Sequence, residues 1–295
     1  MHQQPMRARA DRLRQAMQVA ELDRLVLYSD AQHALGAAST DGVRWLSGFK
    51  PMAESLVVLP RDDEPCLAVT PGWDQGRASR QTWIERVLSG DSLDEALAGV
   101  ELARGRTGFV GAPRCRQPRR QALEGLLREP SVAFDTEFEA LVRVKDALEL
   151  SNIQQATELA ERGYQHLLQV ARPGLPEYTL VGKLSAYLRS QGADDNFLLV
   201  VEAMNEPLMQ AGFADYCRQP YMRVRGHGLG LGSTAPGDLT VENRTPLEAG
   251  MAFVLHPNQF LPGAGYLMVG EPVVVTEAGL RPLSQREPGL DAIPV

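Results

Sequence analysis

The chain has 295 residues, 44% of them hydrophobic and 23% charged, which is ordinary globular composition and enough for two packed domains. A net charge of -7 argues against a binder of nucleic-acid backbone, which needs concentrated Lys and Arg. No apolar run approaches the roughly 18 to 20 residues of a membrane span, and charge rather than an apolar signal core follows the N-terminus, so the expected location is the cytoplasm.

Residues 8–20 read as a helix with Leu13 and Met17 on one face. The apolar runs 25–28, 55–60 and 66–70, bounded by Pro, Asp and Gly, have the look of strands buried on both faces of an α/β sheet, and 107–110 reads as another. Residues 73–87, 91–102 and 117–127 supply helical patterns between them. Cys66, Cys115 and Cys217 are far apart and odd in number, which argues against both a disulfide framework and a metal knuckle. Residues 1–142 therefore read as one α/β domain, with neither a Gly-rich phosphate loop nor a strand-end cluster of acids. Its expected role is shape and partner contact.

A second domain is expected over 143–295. Asp146 and Glu149 have the spacing of a capping box, and Leu150, Ile153, Ala156, Ala160, Tyr164, Leu167 and Leu168 continue a helical apolar face. Pro173-Gly174 stops that helix, a second one follows over 177–190 to Gly192, and 196–201 reads as a strand. Then comes Arg225-Gly-His227-Gly-Leu-Gly-Leu-Gly232, in which glycine at every second position lets backbone approach closely whatever the imidazole touches. The competing reading is a glycine-rich turn whose histidine bonds a neighbouring carbonyl. Glu248-Ala249-Gly250 turns into a strand that delivers His256 at its end, and 271–276 is the last strand, with Glu277-Ala278-Gly279 its exit turn.

Laid out in this order, Trp45-Leu-Ser-Gly-Phe49, Arg143-x-Lys145-x-x-x-Glu149-Leu150, Gly226-His227-Gly228-Leu229-Gly230-Leu231 and Leu247-Glu-Ala-Gly-Met-Ala-Phe-Val254-x-His256-Pro257 with Val273-Val-Val-Thr-Glu277 resemble the creatinase, aminopeptidase P and prolidase superfamily. The resemblance implies an α/β creatinase-type N-terminal domain followed by an α+β pita-bread domain, here shortened. Only residues 201–222 fill an interval that in relatives holds an aspartate-bearing strand pair. It also implies a homodimer acting on a small molecule or short peptide.

Metal-dependent members hold two ions with two aspartates, the loop histidine and two glutamates, because hard divalent cations need several anionic oxygens. Of that set only His227 is in place. His256 stands at one glutamate position and Gly270 at the other, with Glu271 one residue along, where a strand turns its side chain to the opposite face. Asp215-x-x-Arg218 has the form of the second aspartate motif, though a lone Asp is usually a solvated or capping residue. No metal ligand is assigned. Creatinase sets the precedent of C–N hydrolysis without metal, so the leading expectation is a hydrolase of a small amide, amidine or peptide bond. In it His227 shuttles the proton, His256 relays it or orients substrate, and Glu271, Arg225, Tyr221 and Asp215 hold substrate. For His256 and Glu271 the competing readings are a strand-end histidine satisfied by backbone and a solvent-facing strand residue. Two further readings are a manganese-, cobalt- or zinc-dependent Xaa-Pro aminopeptidase or dipeptidase, and a non-catalytic module that binds peptide or protein.

Overall fold

The structure is a computed structural model; it describes residues 3–31, 40–170, 177–193, 226–230, 237–239, 245–256, 259–261, 265–267 and 270–286. Two compact units divide the chain, one of residues up to Val144 and one of the described residues from Lys145 onward.

In the first unit the elements run α1 (Gln3–Val19), β1 (Arg24–Ser29), α2 (Gly42–Ser47), β2 (Ser55–Pro60), β3 (Cys66–Val69), α3 (Gln75–Gln81), β4 (Arg86–Ser89), α4 (Leu93–Ala96), β5 (Thr107–Val110), α5 (Gln117–Glu124), β6 (Val132–Ala133) and α6 (Asp135–Arg143). They form a six-stranded sheet of order β4-β3-β2-β1-β5-β6, in which β2 runs antiparallel to both β1 and β3 and the other pairs are parallel. Because strand side chains alternate, the apolar runs divide between two cores. Leu25, Leu27, Val57, Leu59, Leu67 and Val69 meet Leu13 and Met17 of α1, Trp45 and Leu46 of α2 and Phe138 of α6. Val26, Tyr28, Leu56, Val58, Cys66 and Ala68 face Leu93 and Ala96 of α4 and Leu123 of α5.

Two expected helices are cut short. The pattern over 73–87 keeps helix only to Gln81: Thr82 turns extended, and buried Trp83 donates its indole N–H to the Leu46 carbonyl at 2.7 Å before β4 begins. Over 91–102 a single helical turn forms, capped by the Ser92 hydroxyl on the Glu95 amide. Strand β6 and helix α6 were not read from the pattern, yet Phe134 and Phe138 sit in the core.

In the second unit α7 (Ala147–Val170) begins in the expected box: the Glu149 amide donates to Asp146 Oδ1 at 2.8 Å and the Asp146 amide to Glu149 Oε2 at 3.2 Å. Its apolar face differs in part from expectation, since Ala156 and Ala160 are exposed while Thr157 and Gly163 are buried. The bare backbone of Gly163 admits Leu188 of α8 (Glu177–Ser190), whose side chain stands 2.7 Å from where a Cβ at 163 would be. Strands β7 (Gly226–Gly228), β8 (Ala252–Leu255), β9 (Gln259–Leu261), β10 (Gly265–Leu267), β11 (Glu271–Thr276) and β12 (Gly279–Pro282) follow. Strands β9 and β10 pair as a hairpin, and the rest form an antiparallel sheet of order β12-β11-β8-β7 over a core of Met251, Phe253, Val273 and Val275. Among the described residues no helix is long and apolar enough to cross a membrane. Pro173-Gly174 and the expected strand at 196–201 lie outside the described residues.

Candidate functional site

The glycine-histidine stretch is a strand. His227 stands opposite Val254 of β8, and His256 follows two residues later, so the two histidines share a face on the diagonal of the ladder, within reach of long side chains. Their Nε2 atoms are 3.4 Å apart, with ring centroids at 5.2 Å and planes tilted by 50°. His256 is buried, 3% exposed, and His227 is half-buried. His227 Nδ1 donates to the Gly228 carbonyl at 2.9 Å, which turns its lone-pair nitrogen, Nε2, toward His256. The neighbouring-carbonyl reading of His227 is thus met at Nδ1, and Nε2 remains directed at the second ring.

Gly226 permits a close approach of backbone. Gly226 has φ +154°, and a Cβ there would lie 2.3 Å from the Val254 carbonyl oxygen and 2.8 Å from Leu239. Only a residue without a side chain lets β7 lie this close to β8. On the other edge of β7, Asp238 forms an antiparallel bridge with His227, flanked by hydrogen bonds from Gly228 N to Gly237 O and Leu239 N to Gly226 O. That is a non-hydrogen-bonded pair, so Asp238 and His227 share a face at close spacing. Asp238, eleven residues after His227, is not singled out by the sequence pattern; a Pro-Gly pair immediately before it is the one signal there.

Glu271 is placed elsewhere. It pairs with Leu255 and therefore shares the face of Val273 and Val275, opposite to the histidines, where its Oε1 accepts from the Ser284 amide at 3.1 Å. Gly270 is the residue beside the pair: a Cβ built on it falls 2.9 Å from His256 Nδ1 and 3.2 Å from Cε1. Strand parity thus gives the position beside the histidines to a residue with no carboxylate and turns the neighbouring glutamate away. Arg225, Tyr221 and Asp215 lie outside the described residues.

Among the described residues no group of three or more His, Cys, Asp and Glu is placed to hold a metal ion. A hydroxide-bridged pair of hard cations needs several anionic oxygens. The two glutamate positions of that set carry an imidazole and a hydrogen atom, and the ring at one fills the space that a side chain at the other would need. These residues do not fit such a centre.

The family model for the Creatinase/Prolidase N-terminal domain matches residues 9–161. Among solved structures, the chain is similar to an Xaa-Pro dipeptidase from Bacillus anthracis (TM-score 0.74, 17% identity, 97% of this chain and 99% of that one). It is also similar to the dipeptidase PepE from Mycobacterium ulcerans (TM-score 0.72, 17% identity, 100% of each). Among curated proteins, an uncharacterized peptidase, YqhT, from Bacillus subtilis is 20% identical over 223 residues, half of this chain and 63% of the relative. The match thus spans less than two thirds of that relative's length. The two-faced α/β sheet, the antiparallel sheet carrying the glycine-histidine strand and these likenesses lead to one placement: the chain belongs to the creatinase/prolidase superfamily and has a creatinase-type N-terminal domain followed by a pita-bread domain.

Proposed function

We propose that this protein hydrolyses a C–N bond in a small amide, amidine or short peptide, using the His227–His256 pair as its proton-transfer device without a bound metal. The observation that carries this is the apposition of the two Nε2 atoms at 3.4 Å, with the tautomer of His227 set by the Gly228 carbonyl. Near neutral pH an imidazole both takes and gives a proton, and a second imidazole on its Nε2 holds that proton between two acceptors. Water adds to the carbonyl or amidine carbon while His227 Nε2 removes its proton. The C–N bond then breaks as the same proton passes to the departing nitrogen, so no net proton is lost. Burial of His256 leaves the half-buried His227 as the group that meets substrate. Arg225 and Tyr221, close to His227 in sequence, are the proposed holders of the substrate's charged end.

A second reading is cleavage of Xaa-Pro peptides, here with divalent metal; similar solved structures include an Xaa-Pro dipeptidase and an X-Pro aminopeptidase. The test is turnover of Xaa-Pro dipeptides and of small amides and amidines by chelator-treated protein, with His227→Gln and His256→Gln alongside. Hydrolysis that survives chelation and falls by about 100-fold or more in His227→Gln supports the first reading, in line with the ~10²–10⁴-fold typical of a positioned acid–base group. Hydrolysis that requires added manganese or cobalt supports the second and overturns the first.

A further inference from the structure

The described residues of the second unit line a cavity of about 510 Å³, the size of a small-molecule site, which shares no residue with the histidine pair. Its floor is one face of α7, where Glu158, Arg162, Gln165 and Gln169 recur at spacings of four, three and four. One wall is Tyr187 of α8, stacked on His166 of α7 with ring centroids 4.2 Å apart and planes 9° apart. The other is the segment after β12. It is fixed to α7 by the Gln154 side chain, which donates to the Leu283 carbonyl at 3.1 Å, and by Glu161 Oε1, which accepts from the Gln285 and Arg286 amides at 2.8 and 3.0 Å. Both walls are held by contacts of their own, so a ligand is spared the cost of ordering them.

The lining states what chemistry it would take. Glu158 and Glu161 stand with Arg162 and Arg286, two negative charges against two positive, so a phosphate or a metal cation meets repulsion as well as attraction there. Arg286 already lies over the Tyr164 ring, 4.4 Å from its centroid. Arg162, by contrast, is exposed and has no ion-pair partner among the described residues, although Glu158 stands one turn before it. A carboxylate and a guanidinium about 6 Å apart along the helix axis, and not paired with each other, suit a molecule that carries both charges itself. The stacked His166 and Tyr187 beside them suit a planar ring. We infer that this cavity binds a free aromatic α-amino acid, with its carboxylate on Arg162, its ammonium on Glu158 and its ring against Tyr187 and His166. Such a ligand has no amide or amidine bond, so its binding is separate from any hydrolysis at the histidine pair.

The test is calorimetric titration of the full chain with L-phenylalanine, phenylalaninol, 3-phenylpropionate and L-alanine. The last three lack the carboxylate, the ammonium and the ring in turn. The expected result is one phenylalanine per chain, with each truncated ligand bound at least about tenfold more weakly, the loss that one hydrogen bond to a charged group accounts for. Arg162→Gln should weaken phenylalanine by about tenfold and leave phenylalaninol unchanged, because phenylalaninol has no carboxylate to lose. Glu158→Gln should likewise weaken phenylalanine and leave 3-phenylpropionate unchanged. Arg162 is exposed, so its substitution leaves the fold intact, and Arg189→Gln, exposed on α8 outside the cavity, should change nothing. No saturation by about 10 mM, phenylalaninol bound as tightly as phenylalanine, or equal effects of Arg162→Gln and Arg189→Gln would each overturn the proposal. So would binding that survives Arg162→Gln and is lost in His227→Gln, which would put the amino acid at the histidine pair instead. Turnover of amides, which judges the proposed hydrolase, plays no part in this titration.

Discussion

Replacing Gly226 by alanine is the sharpest probe of how β7 is built. Two costs add at this position. The backbone has φ +154°, where side chains are rarely found, and strain of that kind runs to about 1–3 kcal/mol. The new Cβ would also lie 2.3 Å from the Val254 carbonyl oxygen, backbone that yields only if β7 and β8 part, and overpacking costs another ~1–3 kcal/mol. Together they make about 2–6 kcal/mol. Gly279→Ala separates the two costs, since Gly279 has φ +118° with nothing within 4 Å of a built Cβ, so it carries the strain alone. Calorimetric melting of both variants and of wild type reads the difference, each kcal/mol being worth roughly 2–4 °C in a chain of ~150–250 residues. Gly226→Ala should melt several degrees below Gly279→Ala. If the two variants melt together, the close approach of β7 to β8 is not what requires glycine at 226, and the reasoning fails.

Two more predictions test other parts of the molecule. Leu27, fully buried between β1 and the helices of its face, should cost about 2–5 kcal/mol on substitution by alanine. Leu280, 51% exposed on edge strand β12, should change stability by no more than about 0.5 kcal/mol; urea denaturation compares the two, and equal effects would contradict the assignment of the core. Burial pushes the Cys115 thiol up to about 11, so at pH 8 it should react with iodoacetamide more slowly than a free cysteine, with a rate climbing until pH passes about 11. The raised folded value also means that stability from this thiol is complete below its ordinary value and is lost as pH rises toward about 11. Peptide mapping by mass spectrometry follows this cysteine by itself, and rapid alkylation at pH 8 would refute the raised value that its partial burial gives it.

What the sequence determined by itself was local and periodic. The apolar runs at 25–28, 55–60 and 107–110, bounded by turn residues, read as strands and form them, and the Asp146–Glu149 box starts α7 through contacts three residues apart. Those signals reach only to near neighbours, which is why Trp83 could end a helical pattern: its indole bonds a carbonyl thirty-seven residues away. The candidate site was legible as a glycine-flanked histidine and a strand-end histidine, but not as a pair. Their meeting depends on the register of β7 against β8, in which a slip of one residue would send the two rings to opposite faces. The same parity, acting between β8 and β11, puts Gly270 beside His256 and turns Glu271 toward Ser284, while the return of the chain after Gly237 sets Asp238 opposite His227. A sequence states which residues a strand carries; only the pairing of strands decides which of them look at one another.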